Sequence, residues 1–500
     1  MEQKKIDRPS FITSVALIVI VCIPLAVAPE ASGRILQATY DYIASEFGVV
    51  YLLASVAVNV FLIWLAFSRY GGRKLGTDED EPEFDTLSWV AMLFCAGIGG
   101  GLIYWCGTEW AFYYQSPPFG AEPYSAEAAE WASTYGLFHW GFTAWAFYSL
   151  PTLAIAYPYY VRRLDHLRFS VSCNWFLSDH DVGPTARLID FLFILAMIGG
   201  AATSLGFSTP MIATNLSWLF GVENNFGLEL AVMLLCMFLF AGSVWLGLRK
   251  GIRNLSDINL VLGFLLLFFI LAVGPTAFLL KTSLNSVGVL LQNIVRMNFW
   301  SDPFSDSQFV ENWTVFYWAW WIAFAPYVGM FVTRISRGRT IRQVILGMLG
   351  LGSLGCWVFY MIVGNFALFL ELEGIVRITE IINNQSQSAA IVATLEQLPW
   401  SGLVITVFTL MAIIFVATTY DSASYTLASS ATLHLQAGDD PARWHRVFWA
   451  FALGLLPIAL LWIGGLKVIQ VVLLIVSVPI LIVGVFMCIS LVKLLRESES

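Results

Sequence analysis

The chain has 500 residues, 58% of them hydrophobic, 15% aromatic and only 12% charged, with a net charge of −8. So apolar a chain would aggregate as a water-soluble domain, so the composition points to a membrane protein with many spans. The acidic balance, with no basic patch carrying interleaved aromatics, excludes nucleic acid as a partner, and seven cysteines without a CxxC pair or a His cluster argue against a disulfide framework or a zinc site.

Apolar runs long enough to cross about 30 Å of hydrocarbon fall at 11–29, 49–68, 88–114, 133–160, 188–218, 228–248, 257–280, 313–334, 341–370, 400–428, 444–464 and 467–490. They predict an all-α membrane protein of twelve transmembrane helices. The first run lacks a small-residue cleavage site and is followed by eleven more, so it reads as a retained helix and not as a signal peptide. An even number of spans puts both termini on one side. The loops on that side carry every Lys and Arg except Arg34, Lys281, Arg296, Arg377 and Lys467. By the positive-inside rule both termini are cytoplasmic in a plasma (inner) membrane, with the lipid bilayer as the surrounding partner.

The third run contains CAGIGGGLIYW, with Gly97, Gly99, Gly100 and Gly101, and the eighth contains Pro326 and Gly329. Glycine weakens a helix by about 1 kcal/mol and proline by about 3 kcal/mol, and a membrane tolerates the freed backbone groups only where protein or a cavity satisfies them. Helix breakers opening runs 3 and 8 divide the chain into two five-helix halves, whose odd number implies inverted topology. The expected organisation is helices 1 and 2 outside the repeats (1–87), a first repeat (88–280), an extracellular linker (281–312), a second repeat (313–490) and a short cytoplasmic tail (491–500). Within the linker, 283–297 is too short and polar to span and reads as an interfacial amphipathic helix.

Two aromatic clusters stand out. The fourth run reads FHWGFTAWAFY, with Trp140, Trp145 and Tyr148; the eighth reads FYWAWWIAFAP, with Trp320 and Trp321 at a similar depth from the outer face. Trp313 and Trp318 lie nearer that face and suit an interfacial belt, which explains the deeper rings poorly. Rings in such numbers, with no Asp or Glu in either cluster, suit a quaternary ammonium. Its methylated charge has no N–H to donate and is attracted by the ring quadrupole, by about 0.5–2 kcal/mol per ring. Aromatic packing in a large bundle is the bland alternative.

The segment WTVFYWAWWIAFAPYVGMFVTRISRGRTIRQV (313–344) resembles the signature of the betaine/choline/carnitine transporter family, and the likeness continues through FHWGFTAWAFY, GIGGGLIYWCGTEWAFYY, ATSLGFSTP and TTYDSASYTLASS. It implies a leucine-transporter-type fold with two inverted five-helix repeats, a homotrimer assembled through the 283–297 helix, and secondary transport without enzymatic activity or cofactor. The resemblance makes Trp140, Trp145, Tyr148, Trp320 and Trp321 the cage, with Phe324 and the glycines 97, 99 and 101 completing the substrate site and Phe316, Trp318 and Phe331 lining the route. Phe324 stands where some glycine betaine carriers have another Trp, which argues against glycine betaine as the best substrate. Sodium-driven relatives hold an ion between the third and tenth spans. The matching set here is the backbone of Cys95 and Ile98 with Phe415, Thr418 and Thr419, although hydroxyls such as those of Thr418 and Thr419 also bond their own helix.

Sodium-independent carnitine exchangers place an Arg where this chain has Asn259 and a Met where it has Val328, so sodium coupling is expected and exchange of carnitine- or butyrobetaine-like compounds is the alternative. Against a second ion, a Thr used by some relatives is Ala201 here. Of the ionisable groups in or near spans, Glu109, Asp190 and Asp421 are candidates for ion or proton traffic. Asp257 is expected to pair with Arg253, and His139 to make a core hydrogen bond. The short termini favour nutrient uptake over osmosensing.

Overall fold

The computed structural model describes residues 7, 11, 12, 16, 27, 29–164, 166–177, 183–246, 251–433, 435, 439–463 and 466–498. The first expected span, 11–29, lies almost wholly outside them. Among the described residues the protein is helical, with an isolated β bridge between Lys74 and Thr340. The helices are α1 (Pro29–Phe67), α2 (Thr86–Gly97), α3 (Gly99–Trp105), α4 (Glu109–Gln115), α5 (Ala126–His139), α6 (Phe142–Ala156), α7 (Pro184–Phe220), α8 (Phe226–Leu246) and α9 (Arg253–Val273). They continue with α10 (Thr276–Phe299), α11 (Phe316–Ile335), α12 (Ile341–Leu372, with two π-helical turns), α13 (Ile378–Asn384), α14 (Gln387–Glu396), α15 (Ser401–Ser430), α16 (Arg443–Ile463) and α17 (Leu466–Glu497). Eight described helices are long and apolar enough to cross a membrane, nine if the bent pair α2–α3 is one span.

The third span breaks where its glycines predict. α2 and α3 meet at 74°, and Gly99 at the corner has φ +57, a left-handed conformation that costs other residues roughly 1–2 kcal/mol. The eighth span does not break. α11 runs unbroken through Pro326, and Gly329 serves packing instead: a Cβ there would lie 2.7 Å from the Pro151 Cβ, so α11 and α6 approach more closely than side chains would allow. The fourth span is divided, α5 ending at His139 and α6 beginning at Phe142. The matched interruptions expected in spans 3 and 8 are therefore not found as a pair.

The seventh span stops at Val273, short of the expected 280, because Gly274 and Pro275 intervene and proline has no N–H to continue the ladder. As a result the segment expected as a short interfacial helix over 283–297 is the longer α10. Its Leu280, Leu284, Leu291, Val295 and Phe299 are exposed.

The basic loops gather at one end. The 68–85 and 336–342 loops pair through Leu75 N to Arg339 O at 2.8 Å, Gly338 N to Leu75 O at 2.8 Å and Ile341 N to Arg73 O at 2.9 Å. Arg168 joins Asp7 at 2.9 Å, while Ser498 meets Tyr157 at 2.9 Å and also Arg73. Residues close to both termini thus share the end that holds most of the positive charge. Buried Arg334 pairs there with Glu83 at 3.0 Å and reaches Asp440 at 4.0 Å. In the same region, hydrogen bonds from the backbone and side chain of Ser88 and the positive charge of Arg253 hold the Asp85 carboxyl below its ordinary range. If this end faces the cytoplasm, cysteines introduced at position 2 and in the 335–340 loop will resist a membrane-impermeant maleimide added to intact cells. Labelling at either would invert the assignment.

Candidate functional site

α6 and α11 pack side by side, and the α2–α3 corner closes against both. Between them the rings predicted to form a cage come together. Trp140 lies edge-on to Trp321 at 4.8 Å between centroids and to Trp320 at 5.8 Å, while Trp320 and Trp321 stack at 5.0 Å. Tyr148 stands edge-on to Trp321 at 5.9 Å and to Trp145 at 5.7 Å. All five are buried, with none more than 2% exposed.

The glycines form the remaining wall because they have no side chain. A Cβ on Gly101 would lie 3.2 Å from Trp320 Cη2 and 3.5 Å from Trp140 Cη2, and one on Gly97 would lie 3.4 Å from Trp145 Cη2. Tyr148 donates its hydroxyl to Gly97 O at 3.1 Å, and Trp321 Nε1 donates to His139 O at 2.9 Å, which fixes both rings. The rings thus pack on one another and on the glycine backbone.

Other sequence-predicted residues lie apart from this box. Phe324 packs against Tyr327 at 5.3 Å and over Gly200, whose Cβ would come within 2.2 Å of its ring. Phe316 is one turn outward, touching Tyr317 at 5.3 Å and Trp320 at 5.8 Å. Trp318 faces away, against Phe138 at 5.3 Å and Phe147 at 6.1 Å, fully buried and not in an interfacial belt. Trp313 is half-buried against Tyr113 at 5.0 Å and Phe112 at 5.2 Å. Phe331 is buried toward the charged end of α11.

Gly99 turns the other way. A Cβ there would lie 2.5 Å from Thr419 Oγ1, and that hydroxyl is 3.2 Å from Cys95 O. Thr418 instead bonds its own helix, at 2.9 Å to Ile414 O and 3.1 Å to Phe415 O, and the Ile98 N–H closes the last turn of α2 onto Phe94 O at 3.0 Å. Of the expected ion ligands, Cys95 and Thr419 are in direct contact across α2 and α15. Asn259 Nδ2 stands 3.9 Å from Cys95 Sγ, Val328 is buried in α11, and the side chain of Ala201 lies outside the described residues.

Sequence reasoning missed Tyr327. Its hydroxyl lies 3.0 Å from Ala96 O, 3.1 Å from Thr419 O and 2.9 Å from Ser422 Oγ, tying α11 to both the broken span and α15. The only sequence signal was a Tyr one residue after a helix-breaking Pro.

The ionisable groups are all engaged. Asp257 lies 3.6 Å from Arg253, as expected, Asp190 accepts from Ser170 at 2.8 Å and sits 3.8 Å from Arg168, and Asp421 bonds Ser243. His139 bonds Tyr113 at 2.8 Å and Thr314 at 3.1 Å. Glu109, the first residue of α4, is fully buried and holds Trp140 Nε1 at 2.9 Å and the Tyr317 hydroxyl at 2.6 Å, with Tyr113 and Tyr360 also donating to it. The sequence marked it as an ionisable residue in a span. It gave no sign that the carboxylate reaches the cage.

The model of the betaine/carnitine/choline family of transporters matches residues 9–500. The chain is 36% identical over 423 residues to the uncharacterized transporter YeaV of Escherichia coli K12, covering 84% of this chain and 88% of that one. It is 34% identical over 492 residues to a carnitine transporter of Acinetobacter baumannii, covering 98% and 89%. Among solved structures, a Na+-coupled sialic acid symporter in a substrate-bound, outward-open state aligns over 92% of this chain and 83% of its own, at 14% identity and a TM-score of 0.41.

Replacing Gly99 by Ala would force a side chain into the left-handed region and against Thr419. A loss of about 1–3 kcal/mol in stability is expected, read as a lower midpoint in thermal unfolding of the detergent-solubilised protein, whereas Gly402→Ala, with open space around the Cβ, should leave it unchanged.

Proposed function

Because the chain belongs to the betaine/carnitine/choline transporter family, we propose that it imports a quaternary ammonium compound, betaine-, choline- or carnitine-like, through the box of Trp140, Trp145, Tyr148, Trp320 and Trp321. It is a membrane transporter and not an enzyme. The observation that supports the substrate class is the convergence of five buried rings on backbone glycines, with no carboxylate among them to favour a primary amine or a small metal cation. Glu109 lies at the N–H edge of Trp140.

We further propose twelve spans arranged as two inverted five-helix repeats over 88–280 and 313–490, cytoplasmic termini, and a homotrimer formed through α10. In this reading the bent third span sits between substrate and ion. Tyr148 bonds its Gly97 carbonyl on the box side, and Thr419 bonds its Cys95 carbonyl on the other, two residues away. A sodium ion drawing on the carbonyls of Cys95 and Ile98 and the oxygens of Phe415, Thr418 and Thr419 would hold the corner in the form that completes the box, which is how an ion gradient would drive uptake. Hard oxygens of this kind are what a small cation selects. Thr418 would have to release its intrahelical bond to join them.

Two measurements test this reading. Trp321→Ala should weaken the apparent affinity for a methylated amine by roughly 5- to 30-fold and Trp321→Phe by less, while Phe324→Ala, outside the box, should change it little; equal losses at both positions would mean the rings serve folding alone. In proteoliposomes, uptake should rise with external sodium, and Thr418→Val with Thr419→Ala should move that dependence to higher concentration. Undiminished uptake without sodium, requiring only an opposing quaternary amine inside, would replace symport by the exchange of carnitine- or butyrobetaine-like compounds.

A further inference from the structure

Behind the aromatic box lies a buried charge that the substrate reading does not use. Glu109 has no exposed surface, and its two oxygens accept from Tyr113, Trp140, Tyr317 and Tyr360. Oε2 accepts from Trp140, Tyr317 and Tyr360 and Oε1 from Tyr113, a shell of donors that suits an ionised carboxylate. Among the described residues no Lys or Arg comes within ion-pair distance of it; its one titratable neighbour of basic type is His139, with Nδ1 at 3.6 Å.

The hydrogen bonds around that imidazole accommodate a neutral ring. Tyr113 spends its single proton on Glu109, so its oxygen accepts from His139 Nδ1–H at 2.8 Å, which leaves Nε2 to accept from the Thr314 hydroxyl at 3.1 Å. A neutral ring satisfies both of these partners. With the ring neutral, the carboxylate is held by hydroxyl and indole donors and, among the described residues, by no Lys or Arg.

Two of its donors are in contact with the box rings. Trp140 is itself a box ring, and Tyr317 stacks on Trp321 at 5.8 Å and on Trp320 at 6.1 Å. An anion held on the N–H edge of an indole pushes electron density into the ring and deepens its negative face, and at low dielectric its own field reaches several ångströms further. We propose that Glu109 is the counter-charge for the transported cation and acts through Trp140 and Tyr317, so that it sets the preference of the box for a charged head over a neutral one of the same shape. This rests on the reading of the box as a site for a methylated cation. It makes Glu109 a positioning and specificity residue that does not touch the substrate.

The test compares choline with 3,3-dimethylbutan-1-ol, in which carbon replaces the charged nitrogen, by quenching of tryptophan fluorescence in detergent-solubilised protein. Wild type should bind choline more tightly. Glu109→Gln, which keeps the shape and some of the hydrogen bonds, should lose about 10-fold or more in choline affinity and stay within about 2-fold for the neutral alcohol. A variant that loses both ligands equally, or keeps the preference intact, would overturn the proposal while leaving the box reading in place; a wild type that binds both alike, or neither, would overturn the box reading and this one with it. Should Glu109→Gln not fold, infrared difference spectra of the wild type decide. Choline and not the alcohol must shift a carboxylate stretch, and Tyr360→Phe must displace that same band; a silent carboxylate region rejects the inference.

Discussion

A helix broken inside a membrane leaves backbone carbonyls that must be satisfied by protein, since hydrocarbon offers them nothing. The 74° bend between α2 and α3 separates three consecutive carbonyls from the N–H groups four residues on, and each finds a hydroxyl on a different helix. Cys95 O meets Thr419 of α15, Ala96 O meets Tyr327 of α11, and Gly97 O meets Tyr148 of α6. The corner is therefore the point at which three helices are fastened together, and the position of every ring in the box follows from it.

The same corner explains why the box is lined with backbone. Rings as large as Trp140 and Trp320 can approach the chain only where no Cβ intervenes, so Gly97 and Gly101 face them. Gly99 is needed for a different reason, its positive φ. One short glycine stretch thus does two physically distinct jobs, turning the chain and receiving the rings. The close packing of α11 on α6 adds a third glycine with a third role, Gly329, which lets Pro151 approach.

Beyond α3, α4 begins with Glu109. A carboxylate there is tolerable because the helix N-terminus favours negative charge and four side-chain donors surround it. At the far, basic end of the bundle charges are handled differently, by ion pairs such as Arg334 with Glu83 and Arg337 with Asp80. Ion pairs tie the loops at that end, and a buried carboxylate held by hydroxyl and indole donors lies beside the aromatic rings.

By itself the sequence determined the class and much of the layout. Apolar runs and glycine or proline punctuation are local properties, and burial from water forces apolar runs to become helices whatever surrounds them; this is why the bend at Gly99 and the meeting of the Trp140 and Trp321 rings were legible. Local signals also misled where context could compensate. Pro326 reads as a breaker, yet packing against α6 keeps α11 continuous, while Pro275 ends a helix that hydropathy alone would extend. Tertiary structure alone decided which side chains meet across the bundle. Tyr317 reaches Glu109 over 208 positions of sequence, and Tyr327 reaches Ala96 over 231. No periodicity encodes such distances, because the partner of a buried polar group is fixed by the geometry of neighbouring helices and not by the pattern along its own.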